Sequence, residues 1–171
     1  MAQFVDCKPS EMSQREFVQT FGDVYEHSPW VAERTFAQGI DRDHDVIAVL
    51  HQAMASVLDK ASTQEQLALI NAHPDLAGKA AVSGELTQSS KDEQSGAGIH
   101  LCNEEEFARF QRFNTAYKEK FGFPFIMAVK GANRHQILAA FEKRLPNDPQ
   151  TEFNTALAEI KKIAGFRLAQ M

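Results

Sequence analysis

NEEEFARFQRFNTAYKEKFG, the stretch from Asn103 to Gly122, has the strongest helical pattern in this sequence of 171 residues. Asn103 and Glu106 have the spacing of a capping box, in which each side chain accepts a hydrogen bond from the backbone amide of the other residue. Large apolar residues follow every three or four positions, the spacing of one helix face, and a glycine such as Gly122 commonly follows the last turn. The stretch therefore predicts an amphipathic α-helix that ends at Gly122.

Helix signals of the same kind occur on both sides of this stretch. Each combines a capping residue with an apolar period of three to four, and Pro74 stops one of these helices. Further helix starts are predicted at Ser13, Ser28, Asp43, Ser62, Asn133 and Asp148. The apolar run from 123 to 129 has no strand partner and is interpreted as a buried helical turn or extended segment. The patterns predict an all-α protein of roughly eight helices that form a compact bundle.

Length and composition place the chain among globular proteins and exclude several classes. A length of 171 residues is typical of one domain, so a single domain over residues 1–171 is expected. Apolar residues make up 43% of the chain, which argues against disorder. A formal charge of −5 without a run of basic residues argues against nucleic-acid binding. No apolar stretch approaches the roughly 20 residues that span a membrane, and no secretory signal is visible, so a cytoplasmic location is expected.

Arg167 is the first of the candidate functional residues. The last predicted helix has an apolar face formed by Phe153, Leu157, Ile160 and Ala164, and the arginine follows on it at the same spacing. A buried guanidinium is unfavourable unless it meets an anion. Either Arg167 reaches water or an internal carboxylate, or it binds an anionic ligand.

His73 and the segment from Ser90 to Gln94 are the other candidates. His73 is expected at the C-terminal end of a helix, where the helix dipole favours a protonated imidazole. It either caps carbonyl groups there or faces the polar, glycine-rich region from 75 to 98, where a site could lie. Ser90 and Glu93 have the spacing of another capping box, but the same residues, with Gln94, could instead bind an anion at a helix start.

Signatures of metal-dependent hydrolases and serine hydrolases are missing from the sequence. No His-Glu-x-x-His, Cys-x-x-Cys or Gly-x-Ser-x-Gly motif occurs. Cys7 and Cys102 do not form a pair with metal-ligand spacing and are expected to be reduced thiols of a cytosolic protein. No metal site is therefore predicted, although a hydrolase that binds a metal through His73 and Asp75 stays open as an alternative.

Four segments, taken together and in this order, resemble the 2-oxo-4-hydroxy-4-carboxy-5-ureidoimidazoline (OHCU) decarboxylases, which act in uric acid breakdown. The segments are HPDLAG at 73–78, SxxEQxxAG at 90–98, FGFPFI at 121–126 and KIAGFRL at 162–168. No single segment is specific, whereas their joint order and spacing are. Ile99 stands where the pattern more often has leucine, which is a conservative departure.

The resemblance implies an all-helical, cofactor-independent and usually homodimeric enzyme that converts OHCU to (S)-allantoin and CO₂. It implies that His73 is the catalytic acid or base, that Glu93 is its carboxylate partner, and that Arg167 binds the substrate anion. The residues that would line the substrate pocket with Arg167 are Pro74, Ser90, Glu93, Gln94, Phe125, Ile126, Met127, Ala128 and Val129. A non-catalytic helical module that binds a partner stays open as an alternative, although the three polar residues argue against it.

Overall fold

The computed structural model describes residues 1–78 and 86–171. Within these ranges the chain forms eight α-helices and three short 3-10 helices, and no strand is present. The α-helices are α1 Gln14–Phe21, α2 Trp30–Ala37, α3 Ile47–Lys60, α4 Thr63–Ala72, α5 Gln88–Gly96, α6 Glu104–Phe121, α7 Arg134–Arg144 and α8 Pro149–Ala169. The predicted all-α class with roughly eight helices is confirmed. None of the described helices is both long and apolar enough to cross a membrane.

The chain divides into two compact units. Unit 1 comprises Met1–Ala72 and Lys161–Met171, and unit 2 comprises His73–Ile160. Helix α8 therefore contributes its first part to unit 2 and its last part to unit 1. The expectation of one domain over residues 1–171 stays a prediction.

Side-chain caps begin most of the helices for which the sequence predicted them. At α1 the Ser13 hydroxyl accepts a hydrogen bond from the Glu16 amide, and the Glu16 carboxylate accepts one from the Ser13 amide. Reciprocal bonds of the same kind begin α4, α6 and α7, and Asp148 caps α8. Since a cap is worth about 1 kcal/mol, these residues help to determine where each helix starts.

Two predicted helix starts were wrong in detail. Asp43 does not begin α3, because Asp41 caps a 3-10 helix at Arg42–Asp45 and α3 follows it. The hydroxyl of Ser28 donates to the carbonyl oxygen of Glu26 at 2.8 Å, so α2 starts without a side-chain cap. In both places a short polar side chain bonds to nearby backbone, and such local bonds are an alternative to the predicted helix start.

Aromatic side chains form the core of unit 2. Phe110 and Tyr117 on α6 are fully buried, as the periodicity of this helix predicted. The ring of Phe125 stacks on that of Phe141 with centroids 3.8 Å apart, and Tyr117 meets Phe125 edge-on at 5.3 Å. Full burial of such a side chain stabilises a fold by roughly 1.5–3 kcal/mol. Packing of these rings therefore joins α6, α7 and the segment from 123 to 129.

Unit 1 has a core of its own. Phe17 and Phe21 on α1 pack with ring centroids 4.8 Å apart. The ring of His51 on α3 contacts the carbonyl oxygen of Lys161 through Nε2 at 2.8 Å. A Cβ added at Gly165 on α8 would lie 3.1 Å from the His51 ring. The absence of a side chain at Gly165 therefore lets the last part of α8 approach α3 closely.

Candidate active site

His73 is the first residue after α4, so its predicted place at the C-terminal end of a helix is confirmed. It is buried and begins a non-helical loop, residues 73–78, with Pro74 as the second residue. Ala77 in this loop has a φ of +54°, in the left-handed region. This conformation costs an L-residue about 1–2 kcal/mol, so contacts from elsewhere must hold the loop.

The start of α5 corrects a prediction. Residues 79–85, part of the polar region expected near the site, lie outside the described residues, and α5 follows them. Thr87 caps this helix, and its hydroxyl accepts a hydrogen bond from the Ser90 amide at 3.2 Å. The predicted capping box of Ser90 and Glu93 is therefore wrong, because Thr87 already satisfies the amide of Ser90 and both residues lie inside the helix.

One face of α5 brings three predicted site residues together. Ser90 and Gln94, one turn apart, are buried, and Glu93 beside them is half-buried. Residues three and four positions apart share a helix face. The serine, the carboxylate and the amide that the sequence singled out are therefore neighbours on this helix.

Gln94 joins this face to the His73 loop. Its side-chain oxygen accepts a hydrogen bond from the Ala77 amide at 3.1 Å, and its side-chain nitrogen donates to the Asp75 carbonyl oxygen at 3.3 Å. The carboxylate of Asp75 forms an ion pair with Lys118 Nζ at 2.6 Å. Asp75, which the hydrolase alternative pairs with His73, is thus held by a lysine.

The apolar run from 123 to 129 forms neither helix nor strand. Of the two interpretations from sequence, the buried helical turn is therefore wrong, and the extended segment is in line with the structure. Its buried site candidates are Phe125, Ile126 and Val129, and its half-buried ones are Met127 and Ala128. Arg144 on α7 donates from Nη1 to the Ile126 carbonyl oxygen at 2.7 Å, and its guanidinium lies 4.2 Å from the centre of the Phe125 ring. An arginine of a neighbouring helix therefore fixes the backbone of this segment.

A buried carboxylate that sequence reasoning missed supports Arg144. Glu152 on α8 is fully buried and accepts hydrogen bonds from Arg144 Nε at 2.9 Å and from the Tyr117 hydroxyl at 2.6 Å. Burial and the hydrogen bond to Glu152 raise the pKa of Tyr117 well above its ordinary value, so the phenol keeps its proton and donates. An acidic residue in the first turn of a helix is common, so sequence position alone does not distinguish Glu152.

Arg167 lies in unit 1, on the last part of α8, and is 8% exposed. Its Nη2 pairs with the Glu26 carboxylate at 2.9 Å, and its Nη1 donates to the carbonyl oxygens of Asp23 and Val24 at 3.4 and 3.3 Å. Glu26 is itself only 2% exposed. Of the interpretations that the sequence left open, contact with an internal carboxylate is confirmed, whereas the binding of an anionic ligand stays a prediction.

The predicted site residues thus fall into two groups. His73, Pro74, Ser90, Glu93, Gln94 and the segment from 125 to 129 belong to unit 2, and Arg167 belongs to unit 1. Within unit 2, Gln94 connects the His73 loop to the polar face of α5. The catalytic and binding roles of all these residues stay predictions.

Potential metal ligands and thiols are scattered. Within residues 1–78 and 86–171, no group of three His, Cys, Asp or Glu side chains is placed to hold a metal ion. Neither Cys7 nor Cys102 is part of a disulfide, and burial is the main cause that raises the pKa of each thiol. A thiol with a raised pKa is mostly protonated at neutral pH and is a weak nucleophile.

Known proteins match nearly the whole chain. The family model described as OHCU decarboxylase matches residues 10–169. The 2-oxo-4-hydroxy-4-carboxy-5-ureidoimidazoline decarboxylase of Haloferax volcanii is 42% identical over 161 residues, which cover 94% of this chain and 92% of that protein. The uric acid degradation bifunctional protein of Bacillus sp. strain TB-90 is 41% identical over 162 residues, which cover 95% of this chain and 31% of that protein.

Two solved structures are similar to this chain. The crystal structure of (S)-allantoin synthase has a TM-score of 0.72 and 32% sequence identity, and the match covers 93% of this chain and 50% of that one. The crystal structure of OHCU decarboxylase in the presence of (S)-allantoin has a TM-score of 0.69 at 23% identity, which shows a likeness of fold alone. Because the family match extends over residues 10–169 and relatives are more than 40% identical, the resemblance carried by the four sequence segments is confirmed, and the chain belongs to the OHCU decarboxylase family.

Proposed function

We propose that this chain is a carboxy-lyase that converts OHCU to (S)-allantoin and CO₂ in uric acid breakdown. The observation that supports this most directly is the 42% identity to the Haloferax volcanii decarboxylase, which extends over 92% of that protein. The geometry of unit 2 is compatible with the proposal, because a buried histidine begins a loop that Gln94 joins to the polar face of α5.

The substrate itself supplies most of the chemistry. Its carboxylate is attached to a ring carbon that also bears a hydroxyl group, next to a ring C=N bond. When the bond to CO₂ breaks, its electron pair forms a C=C bond while the C=N electrons move to nitrogen, which takes a proton. The hydroxyl then loses its proton to become a carbonyl, and the carbon that bears the ureido group gains one. Because this electron sink is built in, neither pyridoxal phosphate nor thiamine is required.

Three side chains carry the proposed roles. His73 exchanges protons with the hydroxyl group, with the ureido-bearing carbon, or with both, and general acid–base catalysis of this kind accelerates a reaction roughly 10²–10⁴-fold. Glu93 orients the imidazole and stabilises its charged form. Arg167 binds and orients the substrate anion. The pocket is lined by Pro74, Ser90, Gln94 and the segment from 125 to 129.

We also propose that the enzyme needs no metal or cofactor, acts in the cytoplasm and is a homodimer. The resemblance to the family supports the first and the third property, and the electron sink in the substrate also supports the first. The expectation that Cys7 and Cys102 are reduced thiols supports the cytoplasmic location. Sedimentation equilibrium tests the dimer, because the expected mass is twice the 19.1 kDa of one chain. A single species with the mass of one chain would contradict it, and cell fractionation tests the location.

The configuration of the allantoin formed from freshly generated OHCU tests the proposed function. OHCU also decays spontaneously, so an (S) excess that depends on the enzyme is stronger evidence than a rate. His73→Asn keeps approximate size but removes titration near neutral pH. We expect this variant to show only the spontaneous rate and a racemic product. His100→Asn, at an exposed histidine of the same unit, should change neither quantity.

Two results would contradict this account at different points. A racemic product from the unchanged protein would contradict the decarboxylase function itself. Stereoselective turnover by His73→Asn would leave the function in place and show that another group delivers the proton to carbon.

A further inference from the structure

The loop that begins with His73 is held by side chains from outside it. The backbone carbonyl oxygens of three consecutive loop residues each accept a hydrogen bond from a side-chain amide: Asp75 from Gln94 at 3.3 Å, Leu76 from Asn114 at 2.9 Å, and Ala77 from Gln111 at 2.7 Å. Because these bonds reach the backbone, they do not depend on the side chains of the loop. They determine the path of the chain directly after the histidine.

Two of the three amides come from one face of α6. Gln111 and Asn114 are three residues apart, so they lie side by side on this helix. Lys118, one turn beyond Asn114, forms the ion pair with the Asp75 carboxylate at 2.6 Å. This polar stripe and the His73 loop all belong to unit 2.

The loop needs such support because its own backbone contributes little. The hydrogen bond that the described residues show within the loop, from the Gly78 amide to the Asp75 carbonyl oxygen, is long at 3.4 Å. Ala77 is in the left-handed region at a φ of +54°. A strained residue keeps its conformation only when the surrounding structure determines it. The amides of Gln94, Gln111 and Asn114 supply contacts of this kind to three consecutive loop residues.

Burial makes these bonds difficult to replace. Asn114 is 3% exposed, so water cannot readily take the place of its amide. A buried carbonyl group that loses its donor destabilises the conformation in which it is buried. Gln111 is only half-buried, so a variant with a charged side chain can fold there.

We propose that Gln111 and Asn114 are positioning residues, which fix the backbone of residues 75–77 and thereby aim the His73 imidazole at the substrate. The inference rests on the proposed function, in which His73 transfers a proton. Gln94 shares this task, because both ends of its amide group contact the loop. Gln111 and Asn114 act through the loop and lie outside the four sequence motifs.

Gln111→Glu tests the proposal, with Gln136→Glu as the matched control. The first substitution places a carboxylate oxygen opposite the carbonyl oxygen of Ala77, so an attraction becomes a repulsion. Gln136 is exposed, and in the capping box of α7 its side-chain oxygen accepts from the Asn133 amide at 3.0 Å, which a glutamate does equally well. Both variants add the same charge to unit 2.

We expect Gln111→Glu to lower kcat about 10- to 100-fold with little change in KM, because a displacement of about 1 Å near the reacting groups has effects of this size. The (S) excess of the product should fall, since spontaneous protonation then competes. In NMR spectra of protein with ¹³C-labelled histidine, the His73 ring signal, assigned with His73→Asn, should shift or broaden. The control variant should show none of these changes.

The pH dependence separates positioning from a general loss of stability. Once protonated, the introduced carboxyl group can again donate a hydrogen bond to Ala77, and a glutamate has an ordinary pKa of about 4.3. The kcat of Gln111→Glu relative to Gln136→Glu should therefore recover partly as the pH is lowered from 7 towards 5. A folding defect would not recover in this way.

An unchanged His73 ring signal in Gln111→Glu would overturn the proposal, and so would a lower Tm with unchanged kcat per folded molecule. Asn114→Asp likewise places a carboxylate oxygen where the amide donated to the Leu76 carbonyl oxygen. It should therefore also lower kcat and shift or broaden the His73 ring signal. If His73→Asn kept stereoselective turnover, the proposed function of His73 would fail separately. The ring signal of His73 in Gln111→Glu would still decide whether α6 holds the loop.

Discussion

Glu93 lies inside α5 and not at its start, and this position determines what its removal should do. Thr87 caps the helix, so Glu93→Gln leaves the cap intact. Glu93 is half-buried and shares its helix face with Ser90 and Gln94. A change of activity in this variant would therefore report on the carboxylate charge and not on the stability of the helix start.

Glu93→Gln should keep a near-native Tm and lower stereoselective turnover by roughly 10²-fold or more, because glutamine keeps the shape but not the charge that supports a protonated imidazole. Asp92→Asn, at an exposed position of the same helix, is the control and should remain active. Thermal unfolding and the enantiomeric excess of allantoin are the measurements. Full activity of Glu93→Gln would show that its charge takes no part in the reaction.

Arg167→Lys separates a structural task from a binding task. The guanidinium already pairs with Glu26 and bonds to two carbonyl groups of unit 1. Lysine keeps the charge and loses the planar fork of donors. Loss of these buried bonds should lower the free energy of unfolding by about 1–3 kcal/mol. The proposed anion binding predicts, in addition, a large fall in kcat/KM of the folded protein.

Arg34→Lys is the control for that variant, because Arg34 forms an exposed ion pair with Glu65 in the same unit. Kinetics on OHCU and thermal unfolding are measured on both variants. If Arg167→Lys lost stability but kept its kcat/KM, the arginine would be structural only.

Helix α6 shows how far sequence patterns predict such a site and where they stop. Its cap at Asn103, its buried face with Phe110 and its end at Gly122 were predicted, because all three are properties of one helix. The roles of Gln111 and Asn114 were not predicted, since their partners lie 34 and 38 residues away in the chain. Polar residues on a helix otherwise indicate a face turned to water.

The same limit applies to the buried charges and to α5. A buried arginine requires an acidic partner, but spacing does not indicate which of the 23 acidic residues it is, so neither Glu26 nor Glu152 was predicted. The capping box predicted at Ser90 and Glu93 was misplaced because Thr87, three residues earlier, can also cap a helix and does so here. The four family motifs indicated which residues are candidates for the site. How these residues are arranged depends on contacts between parts of the chain that are distant in sequence.

The start of α6 should make stability depend on pH. Glu106 accepts a hydrogen bond from the Asn103 amide and pairs with Arg134 Nε at 2.7 Å, and these contacts lower its pKa below the ordinary 4.5. A carboxyl group with a lowered pKa in the folded state stabilises the fold above its unfolded pKa. This contribution is lost as the pH falls through the folded-state value.

Glu106→Gln keeps the capping box but removes the charge, so its Tm should be lower than that of the unchanged protein at neutral pH. The difference should shrink as the pH falls below about 4.5 and then vanish. Glu105→Gln is the control, because Glu105 is exposed and shows no side-chain bond in the described part of the chain. A difference that persisted in strong acid would contradict the assigned cause.

The molecule as a whole is expected to work without a metal ion, because the substrate contains its own electron sink and the sequence lacks metal-binding motifs. Exhaustive chelation should leave turnover and the (S) excess unchanged. Metal analysis of the active protein should find less than one zinc or iron ion per chain. Loss of activity on chelation, with recovery when metal is added, would contradict the proposed mechanism and favour the hydrolase alternative.

Unit 2 is contiguous in sequence, whereas unit 1 combines residues 1–72 with residues 161–171. A ribosome therefore makes all 88 residues of unit 2 between the two parts of unit 1. At roughly 5–20 residues per second, this interval lasts about 4–18 s. Until it ends, Glu26 and His51 are without the arginine and the carbonyl group that they contact in the finished protein. A nascent chain that already has His73 thus still lacks Arg167.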